Sequence, residues 1–450
     1  MPDAPTTFWP PPDERRLLGR FYAAATLGET LNVVFPFQFA YFFLVMDRPE
    51  WAVIPVLVAS ATVLLVEIPT GLVADRLGRK ASVVAGYFLT ALSWGLIPTA
   101  VALPGIGQLW AASGCFALGG LGQTLISGAY ESWVVDNLRS RQRPELVDAF
   151  FARETSFTAA GGVLAGLGAL AILLATEVDR WLLDTLWYLA AAGLLLAGLV
   201  LTRVPERSDD TPEVGDRTGW RVAEHLQVLL RRPALLLFAT ALAVATFSGS
   251  VADEALDISL LTKGMDARGF APLGIAEDLV GILAPVAGLA LARRWGATPV
   301  LVGFIAASAA LTLLFFAEPG WPIVFALYLL FAAADQVWDP VAEAKLHQLI
   351  PSATRATTVS VVNQIAGLAE LAGFAALAWL LGEHSDALRS ATPDLVAAFR
   401  GNPATPEDVP VGWLDLPVPD LAVVLFIASG LLAIPFLLYS HSRTTQDTPS

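Results

Sequence analysis

The chain has 450 residues, 55% of them hydrophobic and only 15% charged, with a mean hydropathy of +0.62. Soluble domains carry about 25% charged residues, so this composition excludes an ordinary water-soluble protein and points to one that crosses a membrane many times. A formal charge of −14 with no dense basic stripe excludes nucleic acid as a partner, and the lone Cys115 excludes an intramolecular disulfide.

Residues 1–16 form a polar, Pro-rich N-terminal tail with no apolar core of the signal-peptide kind, so the first span itself is expected to lead insertion. Twelve apolar runs of spanning length follow. They lie at 17–45, 51–73, 81–103, 107–135, 147–174 and 182–202, then at 233–262, 272–292, 298–317, 322–348, 357–382 and 420–440. About 20 helical residues at ~1.5 Å each cross the ~30 Å of hydrocarbon.

Span 1 carries Glu29 about halfway along, with Asn32 and Pro36 on the same helical face. Spans 2 and 3 are joined by a charged turn, Gly71-Leu-Val-Ala-Asp75-Arg76-Leu-Gly78-Arg79-Lys80. In span 4, Gln123, Ser127 and Glu131 recur every fourth residue and predict one polar stripe, while Gly114, Gly119, Gly120, Gly122 and Gly128 let a neighbouring helix approach. Tyr41, Tyr130 and Trp338 are aromatic candidates for stacking a solute.

Residues 203–232 are a polar connector whose second part places Val222, Leu226, Leu229 and Leu230 on one face, the pattern of a helix lying in the membrane interface. Asp253, Glu254 and Asp257 cluster in the outer third of span 7 and suggest an outer vestibule, whereas Glu277 and Asp278 read as a solvated helix end. Asp335 is near the middle of span 10, and span 11 carries Asn363, Gln364 and Glu370. The segment 383–419 is a long outer loop rich in Asp, Glu and Pro, either a solvated loop or a lid, and 441–450 is a short tail.

An even number of spans puts both termini on one side. With the termini inside, 21 of the 27 Lys and Arg lie in or beside inner segments, so both ends are expected in the cytoplasm of a cell with the chain in its inner membrane. The two sets of six spans read as diverged repeats. Ala74-Asp75-Arg76-Leu77-Gly78 is echoed by Ala292-Arg293-Arg294-Trp295-Gly296, 218 positions later, and Asp136 with Pro144 by Glu343 with Pro351. The expected layout is an N-terminal bundle at 17–202 and a C-terminal bundle at 233–440, with a site between them.

Charge placement agrees with that layout. Spans 3 and 9 hold no charge, and spans 6 and 12 have only Asp184 and Asp420, each at its outer edge, while the other eight all carry acids. An ionisable group mid-span costs ~2.5–3.5 kcal/mol on insertion scales, so each one is a functional candidate. Glu29, Asp335 and Glu370 are the deepest, and burial or a like charge nearby tunes such carboxyls for proton exchange near neutral pH.

The turn at 71–80 resembles the loop 2–3 signature of the major facilitator superfamily, and Ile350-Pro-Ser-Ala-Thr-Arg355-Ala-Thr-Thr-Val-Ser resembles its stretch between spans 10 and 11. The resemblance covers about residues 17–440. It implies an all-α fold of twelve transmembrane helices in two pseudo-symmetric six-helix bundles, with the third helix of each triplet peripheral. It also implies a cytoplasmic gate, in which Asp75 caps a helix of the opposite half and Arg79 pairs with Asp136, while Gly71 and Gly78 permit close contact around Arg76. Glu67 and Glu154 are near enough to join that gate, whose charge pairs are expected to favour the outward-open state. Two features depart from the drug/proton antiporters of the family: span 4 has no Arg, and Ala159-Ala-Gly161-Gly162 has no Pro.

No phosphate-binding loop, metal-binding His pair or nucleophile motif is present, so no enzyme activity, cofactor or metal is expected. The first expectation is a monomeric secondary transporter that exports an amphipathic, cationic or neutral solute in exchange for protons. The alternatives are proton-coupled uptake of a small metabolite and a non-transporting sensor on the same fold.

Overall fold

The computed structural model describes residues 9–34, 37–48, 51–127, 129–206, 229–317, 320–350, 355–384 and 418–446. Most of the interfacial helix expected within 203–232 and most of the 383–419 loop lie outside the described residues, as do the surroundings of Gly71 and the side chains of Asp75, Arg76 and Asp253. Among the described residues the regular structure is entirely helical.

The first half comprises α1 (Pro12–Thr30), α2 (Gln38–Val45), α3 (Val53–Leu77), α4 (Arg79–Ala100), α5 (Ile106–Ile126), α6 (Ala129–Arg139), α7 (Val147–Ala175) and α8 (Arg180–Thr202). The second comprises α9 (Pro233–Thr262), α10 (Ala267–Trp295), α11 (Ala297–Leu311), α12 (Trp321–Leu349), α13 (Arg355–Glu383), α14 (Val418–Ser429) and α15 (Ala433–Gln446). Ten helical stretches among the described residues are long and apolar enough to cross a membrane. The broken pair α1–α2 and α3, apolar over Val53–Glu67, complete the twelve-helix, two-bundle fold.

Local chemistry sets the helix ends. Pro12 opens α1 without wasting an N–H, and Asp13 and Glu14 face the positive end of its dipole. The Asp179 side chain accepts from the N–H of Leu182 to start α8, and Asp266 accepts from the N–H of Gly269 to start α10. Span 1 is two helices, the first ending at Thr30 with Leu31 as its C-cap and the second starting at Gln38. Span 4 also breaks: Ser127 leaves the helix at φ −57°, ψ 141°, and α6 starts anew at Ala129.

One glycine joins the second and third helices of each half. Gly78 links α3 to α4 at φ 96°, ψ 142°, and Gly296 links α10 to α11 at φ 88°, ψ 152°. A side chain is strained at these angles, so the echoed sequence corresponds to one turn built twice.

In the first half α4 packs on α5 and α8, α3 on α5, and α1 on α7 and α8; in the second α10 packs on α12, and α9 on α13, α14 and α15. Contacts between the halves are reciprocal. The second span of the first half, α3, meets the fifth of the second, α13, and the fifth span of the first half, α7, meets the second of the second, α10. A pseudo-two-fold axis between the bundles produces this exchange of partners.

The cores are unevenly shared. At the end away from the termini one apolar cluster spans both halves, including Tyr41, Phe42 and Trp187 with Leu260, Phe270 and Phe374. At the terminus-bearing end the clusters are separate, one around Phe21, Trp133 and Phe150, the other around Phe238, Val341 and Leu437. The halves are therefore sealed together at one end and packed independently at the other.

Candidate functional site

Two cavities of about 800 and 500 Å³ lie between the halves, and a third of about 390 Å³ adjoins them within the second half. The first two share Glu29, Glu154 and Thr158; the first and third share Thr246 and Glu370; the second and third share Glu277 and Gln336. Shared walls make the three neighbours around one set of side chains.

The charge of the combined wall has one sign. Glu29 of α1, Glu67 of α3 and Glu154 of α7 face it from the first half. Glu254 of α9, Glu277 and Asp278 of α10, Asp335 of α12 and Glu370 of α13 face it from the second. No Lys, Arg or His is among the described lining residues. Tyr87, Trp94, Phe116, Phe331 and Trp338 supply aromatic surface beside the acids.

Neutral groups hold several of these carboxylates. Asn32 Nδ2 donates to Glu29 Oε2 at 3.3 Å, and Tyr328 OH donates to Glu277 Oε2 at 3.4 Å. Two bonds cross the α3–α13 seam between halves: Ser60 Oγ donates to Glu370 Oε1 at 3.1 Å, and Gln364 Nε2 donates to Glu67 Oε2 at 3.0 Å. Across the α7–α10 seam, Asp278 sits directly against Gly162, where an added Cβ would lie 2.4 Å from its Oδ2. Only a residue without a side chain admits that approach.

Glu29 occupies the last turn of α1, where unpaired carbonyls already make the helix end negative. Thr30 Oγ1 and Asn32 Oδ1 are buried nearby with no hydrogen-bond partner. The break in span 1 thus leaves buried polar atoms without partners beside Glu29.

Of the residues singled out in the sequence, Glu29, Asn32, Gln123, Asp335, Asn363, Gln364 and Glu370 line the cavity. Ser127 and Glu131 are exposed and lie outside its lining, because the break at Ser127 interrupts the four-residue spacing that would have carried the stripe on. Glu254 faces the cavity while Asp257 does not, so the span 7 acids divide between two environments. Tyr41 is buried in the core and donates to Asp184 at 2.5 Å, and Tyr130 is buried in another core, so of the three aromatic candidates Trp338 alone lines the space.

Sequence reasoning placed four lining acids elsewhere. Position along the helix reads Glu67 and Glu154 as near enough to join the gate, and nearness to a loop reads Glu277 and Asp278 as a solvated end. Depth alone carries no rotational information, and the α7–α10 seam that receives Asp278 is a contact of distant segments.

At the gate motif Arg79 pairs with Asp136 and donates to Ser132 O at 3.0 Å. This pair braces α4 against α6 within one half and is present while the two cores at that end are separate. Glu206, just beyond α8, was not anticipated. It accepts from the N–H of Lys80 at 3.2 Å and caps the start of α4 at Gly78. On the same surface Arg143 Nη2 donates to Asp13 Oδ2 at 3.0 Å and Nε donates to Glu145, and these bonds hold both carboxyls below the usual carboxylate range.

The model of the Major Facilitator Superfamily matches residues 22–276, more than half of the chain. No curated protein sequence matches. Among solved structures the chain is similar to the nucleoside transporter NupG, with a TM-score of 0.67, 10% identity, and 94% of this chain and 99% of that one covered. It is also similar to a D-xylose-proton symporter, with a TM-score of 0.63, 16% identity, and coverage of 94% and 97%. A third is a bacterial homologue of the human lysosomal transporter Spinster, inward-facing and occupied, with a TM-score of 0.63, 16% identity, and coverage of 98% and 100%. At these identities the likeness speaks to the fold alone.

Proposed function

The chain belongs to the Major Facilitator Superfamily and moves a small solute across the membrane in which it is embedded; from that premise we propose that it exports an amphipathic organic solute in exchange for protons. The observation that carries this reading is the cavity wall, with acids from both halves and no cation among its described residues.

Neutral donors such as Asn32, Ser60 and Gln364 hold Glu29, Glu370 and Glu67 without cancelling their charge, and protons or a cationic cargo can balance it. If both compete for the same groups, cargo arriving from one side displaces protons, and protons arriving from the other displace cargo. The bias of cations toward the terminus-bearing side supports cytoplasmic termini in the inner membrane. On that orientation the sealed end faces outward, and the chain is in an inward-open state of an alternating-access cycle.

Glu29 with Asn32, Asp335 and Glu370 take the proton-coupling role, and Gln123, Asn363 and Gln364 contact cargo. Ser127 and Glu131 lie on its approach, Asp253 and Asp257 belong to the outer vestibule, and Glu254 faces the cavity beneath it. Gly71, Asp75, Arg76, Gly78, Arg79 and Asp136 belong to the gate at the terminus-bearing end. The moving bodies are 17–202 and 233–440, joined by 203–232, within a monomer.

The test is flux in proteoliposomes holding a pH dye, with a panel of solutes and an imposed proton gradient. Solute is expected to move against protons, and Glu29→Gln and Asp335→Asn are expected to lower the coupled flux at least about tenfold, as loss of a buried charge contact does. Solute moving with protons would turn the reading to uptake, and flux indifferent to the gradient would remove proton coupling.

A further inference from the structure

We propose that Asp278 is a further proton-coupling residue: the α7–α10 seam between the halves closes on its side chain only when the carboxyl is neutral. The inference rests on the proton-driven reading above and adds the place where a proton governs how the halves pack.

The contact itself is close. A Cβ built on Gly162 of α7 would lie 2.4 Å from Asp278 Oδ2 and 2.6 Å from Oδ1, and one on Gly166 would lie 2.4 Å from Ile275 Cγ1. The Asp278 carboxyl is thus laid against the backbone of the opposite half. That backbone offers it no donor, since each N–H inside a helix is spent on the carbonyl four residues back. Among the described residues Asp278 has neither a hydrogen-bond donor nor a cation beside it. The α3–α13 seam is fastened in the opposite way, with Ser60 donating to Glu370 at 3.1 Å and Gln364 to Glu67 at 3.0 Å. Ionised acids suit that seam. A carboxylate pressed on a surface without donors is costly, so the seat at Gly162 fits the neutral acid.

The groups around Asp278 add to this demand. Glu29 of α1, in the other half, lines the same cavity of about 500 Å³, and its charge acts on Asp278. The helices packed on α10 are α7, α12 and α11. From α7 the cavity takes Glu154, from α12 the neutral Gln336, and α11 carries no charged residue. On α10 itself the neighbour is Glu277, to which Tyr328 of α12 donates at 3.4 Å. Every charge among the described residues lining this cavity is therefore negative. An ionised Asp278 is repelled across the seam by Glu29 and Glu154, and a proton on it removes the repulsion and fits the side chain to its seat.

The experiment measures the α7–α10 spacing of the full chain in lipid nanodiscs, with no solute added. Nitroxide labels are attached at Leu164 of α7 and Leu279 of α10, both exposed, through Leu164→Cys and Leu279→Cys with Cys115→Ser. Distances are followed from about pH 5 to about pH 9, which brackets the titration of a buried carboxyl. A narrow and a wide population are expected, the narrow one favoured at low pH, with their ratio changing up to about tenfold per pH unit, as one coupled proton requires. Asp278→Asn, neutral and of the same shape, is expected to hold the narrow spacing at every pH. Gly162→Ala, which puts a methyl where the carboxyl lies, is expected to hold the wide one. A side chain that only packs would not give variants fixed at opposite ends of one titration. A pH-dependent spacing that survives in Asp278→Asn overturns the assignment of Asp278. Spacing indifferent to pH in the labelled parent overturns the proton-dependent seam, whereas the proton-driven reading falls only if flux in the proteoliposome assay ignores the gradient.

Discussion

Glu14 is the acid nearest the N-terminus that is fully enclosed, at 2% exposure, and Arg153 beside it is at 5%. Arg153 donates to one carboxylate oxygen and the Tyr22 hydroxyl to the other at 2.7 Å, so the start of α1 is fastened to α7. Removing one member strands the other charge, at a cost of ~3–5 kcal/mol. Glu14→Ala is therefore expected to lower the melting temperature of the detergent-solubilised protein sharply, and Glu14→Met with Arg153→Met to recover most of the loss. An unchanged melting temperature in the single variant would show the pair to be idle. In the sequence Glu14 looks like one more charge of a polar tail, because its partner lies 139 residues away. Glu29, Asp335 and Glu370 were legible for the opposite reason: an acid surrounded by apolar neighbours needs no partner in view to be conspicuous.

Helices and their joints were read unevenly. Apolar runs located the spans, and the echo of 74–78 at 292–296 anticipated that the two halves share a turn. The structure adds its geometry, a lone glycine at positive φ in both places. A side chain there costs of order 1–3 kcal/mol of backbone strain. The two sites differ in what fills the space. A Cβ at Gly78 would lie 3.0 Å from the Glu206 carboxylate, whereas the nearest atom at Gly296 is Pro299 Cδ at 3.6 Å. Gly78→Ala is thus expected to reduce thermal stability more than Gly296→Ala, and the reverse order in a melting experiment would refute the capping role of Glu206. The break of span 4 was not legible. Gln123, Ser127 and Glu131 keep helical spacing, and nothing local in that spacing marks the point where the backbone turns out of register.

At the scale of the whole molecule, all eight lining acids come from the first, second, fourth or fifth span of a half. The sequence discloses this through third spans that hold no charge except Asp184 and Asp420 at their outer edges, since a helix bathed in lipid excludes charge from its middle. How the halves meet was hidden, because reciprocal contacts between α3 and α13 and between α7 and α10 join segments with no sequence signal for each other. The sealed end includes Phe37 of the first half and Phe270 of the second, with ring centroids 6.5 Å apart. Cysteines at those two positions, with Cys115→Ser, are expected to be bridged by a short thiol cross-linker. Flux should then stop while cargo still binds from the unsealed side. Full flux after complete bridging would mean that solute does not pass through that end.

The single-residue joints at Gly78 and Gly296 have a mechanical consequence. α3 bears Ser60 and Glu67 of the cavity wall, and α4 follows it with no slack between them. Any tilt of the inner helix is handed directly to its neighbour, which cannot lag behind. The solute pathway is in this way geared to the outer girdle of the protein, and the thickness and lateral tension of the surrounding lipid become part of the load against which each turnover is made.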